Sequence, residues 1–566
     1  MNIADLLVRS AADHPDRPAL RAGDRVLTYR ELDEASARMA DLVQVYGVTP
    51  GARVGVMLPN VPEFAVAYYG VLRAGGVVVP LNPLLKAREV AFHLTDAGAG
   101  LLVAAEAAAP EAKAGAEEAL DAPVIVVDDD FLPELAEREP ATDVLDRDPQ
   151  DTAVLLYTSG TTGKPKGAEL THDNLVRNVE VSQSDLLQLT PDDVVFGGLP
   201  LFHAFGQTVT LNTTIAQGAA LVLLARFAPA AALALMADQR VTVFAGVPTM
   251  YGALLGEDDA PELPDLRVCV SGGAALPVEV LHRFEERFGA PVLEGYGLSE
   301  TSPVASFNRV DARRPGTIGH PVSGVEMRIV DAESGEPVES GEAGEIAVRG
   351  HNVMKGYWQR PDATAEVLSD DGWFRTGDIG RVDEDGFFAV VDRKKEVVIR
   401  GGFNVYPREL EEVLYEHPDV AEAAVIGLPD DRLGEEVGAA VALRQLLERA
   451  KGEKVELYPS TGLRSYGWQQ GLYDSYVRRD GRAAADTYSA RPGFSEHQTG
   501  LTFDAKSRSG GCDLQECFGK TPAGAFLREQ AGSAGFVVRY TEQNTKVTGY
   551  QPEPWHLRYV GQWLSG

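Results

Sequence analysis

The sequence predicts an α/β protein with a large first part, which has parallel sheets and a small β subdomain, followed by a small α+β domain. Up to about residue 390, apolar runs alternate with helical patterns, as in strands joined by crossover helices. After residue 320, short apolar strands are joined by glycine-containing turns. After Leu443 the composition changes: the 566-residue chain has a net charge of −32, but residues 444–566 carry 16 Lys and Arg against 13 Asp and Glu. The change indicates a second segment with a different history; an ordinary domain of unusual composition is the alternative.

The elements of the first part are predicted from the spacing of apolar residues. Buried strands are predicted at residues 54–59, 76–81, 101–105, 124–128 and 154–160. Residues 27–47 have the 3.6-residue apolar spacing of a helix that ends at Gly47. The Ala- and Glu-rich stretch 104–120 indicates an exposed helix. Strands of the β subdomain are predicted at residues 326–331, 344–350 and 386–393.

Charge and cysteine content argue against several classes of protein. A net charge of −32 argues against a nucleic-acid partner, because binding to a phosphate backbone needs a basic surface. Three cysteines, Cys269, Cys512 and Cys517, do not make a disulfide-rich scaffold. No uncharged apolar run reaches the roughly 18 residues that a membrane helix needs, so no transmembrane segment is expected. Asp5 and Arg9 interrupt the first apolar stretch, which argues against a secretory signal and predicts a cytoplasmic location.

A Ser/Thr/Gly-rich loop after a buried strand is the clearest chemical signal of the first part. In VLLYTSGTTGKPKGAELTH (154–172), glycines let backbone N–H groups approach phosphate oxygens, hydroxyls donate further hydrogen bonds and lysine supplies charge. It is not a Walker loop, because no Gly-Lys-Ser/Thr opens a helix. The predicted triphosphate site consists of Thr158, Ser159, Gly160, Thr161, Thr162, Gly163 and Lys166. A solvated charge beside the phosphates is the alternative for Lys166.

Further motifs follow this loop in the order that one enzyme family shows. They are LPLFHAFG (199–206), SGGAAL (271–276), GYGLSE (295–300), WFRTGD (373–378) and DRKKEVVIRGGFNVYPRELEEVL (392–414). With these motifs, residues 1–443 resemble acyl-CoA synthetases of the fatty-acid–CoA ligase kind, in the adenylate-forming superfamily. The resemblance implies that ATP, Mg²⁺ and CoA serve to convert a fatty acid or another carboxylic acid first to acyl-AMP and then to an acyl-CoA.

The resemblance also implies roles for individual residues. His203 would lie beside the carboxylate pocket as a catalytic group, Glu300 would hold Mg²⁺, and Asp378 would bind the ribose hydroxyls. Arg393 would contact ribose or phosphate next to the hinge residue Asp392. The adenine, acyl and CoA sites would contain Gly273, Tyr296, Gly297, Ser299 (where the family more often has Thr), Gly401 and Gly402. From the residues alone, position 203 also fits a buried histidine, position 300 a helix-terminal charge and position 378 a turn cap.

The resemblance ends before the C-terminal lobe of such ligases is complete. In this family a catalytic lysine, in a Gly-Lys segment near the end of that lobe, reaches the α-phosphate and the carboxylate during adenylation. After VGAAVAL (437–443), neither that segment nor the helix and strand before it is present. We therefore expect acyl-AMP formation to be strongly impaired.

The second part contains a candidate metal site. His497, Asp504 and His556 offer two imidazoles and one carboxylate, the ligands of a zinc ion that keeps one position open for water. Glu553, three residues before His556, suits a general base that acts on this water. Arg464 is available to stabilise a developing oxyanion. By spacing alone, three unrelated polar residues on loops explain the pattern equally well.

The segments SEHQTGLTFD (495–504) and EPWH (553–556) carry a second resemblance. With the sequence around them, residues 444–566 resemble the VanY-type D-alanyl-D-alanine carboxypeptidases. The family pattern Ser-x-His-x-x-Gly-x-Ala-x-Asp is matched by Ser495, His497, Gly500 and Asp504, whereas Thr502 stands at the Ala position. The departure adds a hydroxyl beside the ligand strand and bears on packing rather than on ligation.

This second resemblance implies Zn²⁺-dependent removal of the terminal D-Ala from a D-Ala-terminated peptidoglycan peptide. Arg464, Gln469 and Ser495 would contact substrate or transition state, and Trp555 would line the pocket. For Gln469 and Ser495, a loop hydrogen bond is an equally good interpretation. Peptidases of this kind usually work outside the membrane, which conflicts with the predicted cytoplasmic location.

The predicted domains are an adenylate-forming domain (1–392), a truncated C-terminal lobe (393–443) and a zinc carboxypeptidase-like domain (444–566). The junction directly follows an apolar strand, which is unlike an exposed linker and indicates a fusion by engineering, by gene recombination or by joining of two sequences. In one functional hypothesis, an impaired ligase is joined to a peptidase. In the alternative, the ligase part only binds nucleotide or acyl group and the peptidase is the sole enzyme. In a third hypothesis, neither part is active.

Cys512 and Cys517 are expected to form a disulfide in an oxidising compartment and a reduced pair elsewhere.

Overall fold

The structure is a computed structural model that describes residues 1–119, 121–140, 143–158, 165–394, 397–400, 403–415, 420–430, 434–443, 450–461, 466–491, 495, 497, 502–507, 512, 515–531, 536–541 and 550–559. The chain divides into two compact units, Met1–Val390 and Val391–Gly566. The boundaries expected from the sequence at residues 392 and 443 stay predictions.

Strands are numbered in chain order. They are β1 Pro18–Ala22, β2 Arg25–Thr28, β3 Arg53–Met57, β4 Val77–Pro80, β5 Ala99–Ala105, β6 Val124–Val127, β7 Thr152–Thr158, β8 Lys166–Thr171, β9 Val194–Gly197, β10 Ala220–Leu223, β11 Val243–Gly246, β12 Val268–Ser271, β13 Val292–Gly297, β14 Val304–Phe307, β15 His320–Pro321, β16 Val325–Val330, β17 Gly344–Gly350, β18 Gly356–Tyr357, β19 Phe374–Val382, β20 Phe388–Arg393, β21 Val398–Arg400, β22 Phe403–Val405, β23 Val420–Asp430, β24 Gly434–Leu443, β25 Tyr458–Thr461, β26 Thr502–Lys506, β27 Phe536–Tyr540 and β28 Glu553–Tyr559.

Helices are numbered in the same way. They are α1 Asp5–Asp13, α2 Tyr29–Val45, α3 Pro62–Arg73, α4 Ala87–Ala97, α5 Ala109–Ala119, α6 Phe131–Ala136, α7 His172–Val181, α8 Thr213–Ala216, α9 Pro229–Asp238, α10 Pro248–Leu255, α11 Val278–Phe288, α12 Pro361–Val367, α13 Pro407–Tyr415, α14 Tyr466–Asp480, α15 Arg482–Ala485 and α16 Pro522–Gln530. Short 3₁₀ helices cover Glu106–Ala108, Ser299–Thr301 and Glu516–Lys520, and π-helices cover Ser182–Leu187 and Gly206–Asn212. Among the described helices, none has the length and apolar composition to cross a membrane.

Two large sheets organise the first unit. Their strand orders are β15-β14-β13-β12-β11-β9-β10-β1-β2 and β18-β8-β7-β4-β3-β5-β6. Inner strands pair in parallel, as β11 does with β12 and β4 does with β3, whereas antiparallel pairs such as β7 with β8 lie toward the edges. All residues of β4 and of the neighbouring α3 are buried, as expected when helices cover both faces of a parallel sheet. The predicted α/β class is confirmed.

A smaller sheet of order β16-β17-β19-β20 follows, and its β16–β17 and β17–β19 pairs are antiparallel. It forms where short strands with glycine-containing turns predicted an antiparallel β subdomain.

The helix predicted over residues 27–47 is α2, which begins after Thr28 because Thr28 and Glu31 cap each other. The Thr28 amide donates to Glu31 at 2.8 Å, and the Glu31 amide donates to the Thr28 hydroxyl at 3.2 Å. Gly47, with a φ of +85°, turns the chain after the helix.

The helix predicted over residues 104–120 forms, but it is not exposed on all sides. In α5, Ala112, Gly115 and Ala116 are buried against α4. A Cβ atom at Gly115 would lie 2.6 Å from the carbonyl oxygen of Ala87. The expectation of an exposed helix was therefore wrong on this face, because small side chains here permit close helix packing rather than solvent exposure.

The second unit contains two further sheets, of order β22-β21-β24-β23 and β25-β26-β28-β27. In the second of these, Asp504 of β26 lies opposite His556 of β28, and Phe503 lies opposite Leu557. Because neighbouring residues of a strand point to opposite faces, Phe503 and Leu557 pack into a core with Phe526, whereas Asp504 and His556 lie on the other face. Two predicted metal ligands are thereby placed side by side.

Candidate active sites

The structure describes the two ends of the predicted phosphate loop. Thr158 is the last residue of β7, Lys166 is the first of β8, and the two are paired in the antiparallel ladder. Ser159, Gly160, Thr161, Thr162 and Gly163 lie outside the described residues. The β7–β8 hairpin thus brings the two described ends of the predicted loop next to each other.

The Glu300 carboxylate lies at the mouth of this hairpin. Glu300 is buried, in the 3₁₀ helix that follows the Gly-Tyr-Gly segment, and its Oε1 accepts a hydrogen bond from the Thr158 hydroxyl at 3.2 Å. The same oxygen accepts a hydrogen bond from the Tyr357 hydroxyl at 2.8 Å. The Lys166 ammonium lies 5.2 Å from the centroid of the Tyr357 ring. A carboxylate oxygen, a threonine hydroxyl and a lysine beside a phosphate loop are groups that suit Mg²⁺-bound triphosphate.

Tyr357 was missed by the sequence-based argument. It lies in GYW (356–358), outside the motifs that carried the resemblance, and its spacing to Glu300 has no periodic signal. Burial, followed by the neighbouring Glu300 carboxylate, raises the pKa of Tyr357 far above its usual value. The hydroxyl therefore keeps its proton and remains a donor to Glu300 at neutral pH.

Asp378 and Tyr296, both predicted nucleotide contacts, are brought together by β19 and β13. The Tyr296 hydroxyl donates to Asp378 Oδ2 at 2.6 Å, and only 7% of Asp378 is exposed. The Asp378 amide donates to the Thr376 hydroxyl at 3.1 Å. An anchored, buried carboxylate is suited to accept hydrogen bonds from a pair of ribose hydroxyls. A Cβ atom at Gly297 would lie 1.8 Å from the carbonyl oxygen of Pro303, so only glycine fits at this position of the loop.

The predicted acyl-site residues lie in segments that follow strands of the nine-stranded sheet. Gly273, with a φ of +80°, follows β12, and a Cβ atom there would lie 3.4 Å from Val247. His203 is exposed rather than buried, which contradicts the alternative of a buried histidine. Although its side chain reaches solvent, partial desolvation by the surrounding chain lowers the pKa of His203, which favours a neutral ring at pH 7. Ser299 opens the 3₁₀ helix that carries Glu300.

The hinge motif lies at the start of the second unit. Asp392 is buried, and its carboxylate accepts hydrogen bonds from the amides of Arg393 at 2.7 Å and Arg408 at 3.2 Å. Arg393 itself is exposed at the end of β20. The predicted CoA-tunnel residues Gly401 and Gly402 lie outside the described residues. The contacts of Asp392 tie together two parts of the motif that are 16 residues apart.

His497, Asp504 and His556 converge in the second unit. One ligand atom from each lies within 4.8 Å of the others, and all three residues are buried. Asp504 Oδ1 is 3.3 Å from both His497 Nε2 and His556 Nδ1. Burial opposes ionisation of Asp504, but the two imidazoles outweigh it and hold the pKa of this carboxyl well below its usual range.

This donor set fits zinc. Tetrahedral zinc with bonds of about 2.0–2.1 Å places its ligand atoms roughly 3.3 Å apart, which agrees with the two distances to Asp504. Glu553 Oε2 lies 3.4 Å from His556 Nδ1, so the predicted general base lies beside the predicted ligands. Across from Glu553 on β27 is Tyr540, whose ring centroid lies 4.8 Å from that of His556. Nothing in the sequence pattern pointed to Tyr540.

The remaining residues predicted for the zinc site have different outcomes in the structure. Arg464 lies outside the described residues. Ser495 is buried, and the buried Gln469 donates from Nε2 to the carbonyl of Ala490 at 2.7 Å, as in the loop hydrogen bond offered as its alternative. Trp555 packs against the core on the opposite face of β28, so the expectation that it lines the pocket was wrong. The cause is the strand alternation, which points Trp555 and His556 to opposite faces.

The departure from the family pattern at Thr502 has a structural consequence. Thr502 stands two residues before Asp504 on β26, on the same face, and it is buried. In the part of the chain that the structure describes, its hydroxyl has no hydrogen-bond partner.

Cys512 and Cys517 are joined as a disulfide, while Cys269 is a buried free thiol.

Comparison with known proteins decides the family. Residues 7–358 match the model of the AMP-binding enzyme family, which is more than half of the chain. The chain belongs to this family. Residues 434–562 match the model of the VanY D-alanyl-D-alanine carboxypeptidases, and this match begins within β24. Both resemblances inferred from the sequence are confirmed, and the protein is an AMP-binding enzyme of the acyl-CoA ligase type joined to a VanY-type domain.

The relatives of this AMP-binding enzyme include several CoA ligases. It is 38% identical over 501 residues to the long-chain-fatty-acid–CoA ligase of Bacillus subtilis (strain 168), with 82% of this chain and 89% of that protein covered. It is 40% identical over 464 residues to a feruloyl-CoA synthase of an Amycolatopsis species, with 81% and 92% covered.

Solved structures agree with this placement of the AMP-binding enzyme. ATP-bound MatB from Rhodopseudomonas palustris superposes with a TM-score of 0.72 at 35% identity, covering 80% of this chain and 92% of that one. The anthranilate CoA ligase AuaEII, in complex with anthranoyl-AMP, superposes with a TM-score of 0.75 at 26% identity, covering 84% and 90%.

Proposed function

We propose that the first unit binds ATP and a carboxylic acid for acyl-AMP formation, followed by acyl transfer to CoA. The observation that carries the proposal is the Glu300 carboxylate, buried against Thr158 at the mouth of the phosphate loop. The anchored carboxylate of Asp378 supports a ribose site in the same unit. The acids named for the relatives, long-chain fatty acids and ferulate, support a carboxylic acid with an apolar body as substrate.

Each residue of this site has a separate task in the proposed reaction. Asp378 accepts hydrogen bonds from the ribose hydroxyls and thereby fixes the nucleoside. Glu300 and the Thr158 hydroxyl would hold Mg²⁺, whose chemical contribution is to neutralise phosphate charge. Lys166 adds a positive charge beside the phosphates, and His203 borders the acyl carboxylate. Positioning and charge stabilisation carry such a step, because there is little covalent chemistry for the protein to do.

The proposed ligase reaction is impaired at adenylation, because the lysine-bearing end of the C-terminal lobe is replaced by the VanY-type segment. Loss of a preorganised charge at the reacting phosphate costs roughly 10²-fold or more in rate. We expect ATP–pyrophosphate exchange with a long-chain fatty acid at least about 10²-fold below that of a full-length relative assayed alongside. Exchange at the rate of the relative would contradict this proposal.

The alternative is that the first unit only binds nucleotide or acyl group. Calorimetric titration with ATP and with a non-hydrolysable acyl-adenylate analogue separates the possibilities. Tight binding of the analogue without exchange activity supports an impaired ligase. Binding of ATP but not of the analogue supports a nucleotide-binding module, and binding of neither supports an inactive scaffold.

For the second unit, we propose Zn²⁺-dependent removal of D-Ala from a peptide that ends in D-Ala. The observation that carries this proposal is the convergence of His497, Asp504 and His556 with Glu553 beside them. The three residues would hold the ion, which supplies activation of a water molecule. Glu553 takes a proton from that water and returns it to the leaving amine, and Arg464 is proposed to stabilise the oxyanion.

Release of D-Ala from an acetyl-Lys-D-Ala-D-Ala peptide, measured together with the zinc content, tests this second proposal. We expect about one zinc per chain, loss of hydrolysis with chelator, and at least about 10²-fold slower hydrolysis in Glu553→Gln with zinc retained. His556→Ala is the matched variant, because it removes a ligand and should lose both zinc and hydrolysis. A Glu553→Gln protein as fast as the wild type would rule out the assigned base.

A further inference from the structure

We propose that Tyr357 is a positioning residue of the ATP site, whose hydroxyl orients Glu300 toward the metal and whose ring supports Lys166 beside the phosphate loop. The inference rests on the proposed nucleotide function of the first unit and deepens it. Tyr357 links the two parts of the site that must act together on the phosphates, the carboxylate for the ion and the hairpin that bears the loop.

The backbone fixes Tyr357 between these two parts. Tyr357 is paired with Ala168 of β8, the strand that returns from the phosphate loop. Three residues earlier, the Met354 amide donates to the carbonyl oxygen of Glu300 at 2.8 Å. The Tyr357 amide donates to the Thr364 hydroxyl at 2.9 Å, which ties the same segment to α12. The segment is therefore attached both to the loop hairpin and to the turn that carries the carboxylate.

The hydroxyl of Tyr357 determines which oxygen of Glu300 points to the ion. Oε1 accepts hydrogen bonds from both the Tyr357 hydroxyl at 2.8 Å and the Thr158 hydroxyl at 3.2 Å. Two donors on one oxygen leave Oε2 as the oxygen presented to a cation. The terminal torsion of a glutamate side chain is broad, so without the tyrosine donor the carboxylate group would adopt several orientations. Hydrogen bonds of this kind to a metal-binding carboxylate typically change metal affinity 10–100-fold.

The ring of Tyr357 acts on a different group. The Lys166 ammonium lies 5.2 Å from the ring centroid, within the range of a cation–π contact. Lys166 is the first residue of β8, and the contact with the ring is proposed to hold its ammonium beside the loop. Hydroxyl and ring can therefore be tested separately: Tyr357→Phe removes the donor to Glu300 and keeps the ring under Lys166, whereas Tyr357→Leu removes both.

The experiment is calorimetric binding of ATP to the full chain at increasing Mg²⁺, a readout that does not require catalysis. For Tyr357→Phe we expect the Mg²⁺ concentration at half-maximal enhancement of ATP binding to rise about tenfold or more, with metal-free ATP affinity unchanged. For Tyr357→Leu we expect the same rise and also weaker metal-free binding. The matched control is Tyr157→Phe, which removes a tyrosine hydroxyl bonded to the Asp96 carboxylate at 2.8 Å in the same unit. It should leave both values unchanged.

The outcomes separate this inference from the function on which it rests. Equal Mg²⁺ dependence in wild type and Tyr357→Phe, with unchanged melting temperatures, would overturn the positioning role and leave the nucleotide function standing. A comparable loss in Tyr157→Phe would also overturn it, because the effect would then be a general one of losing a tyrosine hydroxyl. Failure of the wild-type chain to bind ATP at any Mg²⁺ concentration would overturn the proposed function, and the inference with it.

Discussion

Glu300, Asp378 and Asp504 are buried carboxylates, with 8%, 7% and 3% of their surface exposed. An isolated buried carboxylate is costly, so each must be held by polar partners. Glu300 and Asp378 each accept a hydrogen bond from a tyrosine hydroxyl, and Asp504 lies beside two imidazoles. Hydroxyls orient a carboxylate without neutralising it, which suits a group that binds a cation or ribose. Imidazoles beside a carboxylate form a set that can share one ion.

A buried histidine in the first unit leads to a pH prediction. Burial, followed by the charge of Arg147, lowers the pKa of His172 to about 4, and its Nδ1 accepts a hydrogen bond from the Ile3 amide at 3.1 Å. The folded form thus stays neutral while the unfolded chain takes up a proton below about pH 6.5. The contribution of neutral His172 to the free energy of unfolding is fully present above pH 6.5 and falls as the pH is lowered. Below pH 4 about 3 kcal/mol of it is lost.

Thermal unfolding from pH 7 to pH 5 measures this effect. The melting temperature of the first unit should fall more steeply in the wild type than in His172→Asn, which keeps an acceptor for the Ile3 amide but does not titrate. His282→Gln, at an exposed position of α11, serves as the control and should keep the wild-type slope. Parallel slopes for the wild type and His172→Asn would show that His172 does not cause the acid sensitivity.

Among the elements, the close packing of α4 and α5 depends on a glycine. Gly115 lies mid-helix, where a Cβ atom would stand 2.6 Å from the Ala87 carbonyl and 2.7 Å from Val90. Gly252 in α10 is also helical, but a Cβ atom there would meet nothing within 4 Å. The two positions share their backbone conformation and differ in the space around them.

Alanine at these two glycines should have opposite effects on stability. Gly252→Ala should stabilise the first unit by about 0.5–1 kcal/mol, because alanine favours a helix over glycine. Gly115→Ala should destabilise it by about 1–3 kcal/mol, because the added methyl group forces the helices apart. Urea unfolding followed by circular dichroism checks both values. Stabilisation of similar size at both positions would mean that α4 and α5 do not pack this closely.

At the scale of the whole molecule, two enzyme families share one chain. The family matches at residues 7–358 and 434–562 lie in different compact units. The composition also changes along the chain, from acidic in residues 1–443 to slightly basic in residues 444–566. If the protein lies in the cytoplasm, as proposed, the Cys512–Cys517 disulfide should be reduced in cells, because such disulfides persist in oxidising compartments. Alkylation of free thiols in intact cells, followed by mass spectrometry of this segment, tests the location.

Metal removal should distinguish the two units. Because the proposed zinc ligands all lie in the second unit, chelator should lower the melting temperature of that unit, while the transition of the first unit stays in place. ATP with Mg²⁺ should raise the first transition and leave the second unchanged. Differential scanning calorimetry with both additions gives the result directly. A chelator effect on the first transition, or none on either, would contradict the assignment of zinc to His497, Asp504 and His556.

The sequence by itself determined the two families, the α/β class and the residue types of both sites, because these depend on local patterns: strands that run into glycine-rich loops, and ligands at fixed spacing. Only the tertiary structure decided which of these residues meet. Tyr357 contacts Glu300 across 57 residues of chain, and strand register places Asp504 beside His556 and turns Trp555 into the core. Such contacts arise from sheet pairing between distant segments, which no local pattern encodes.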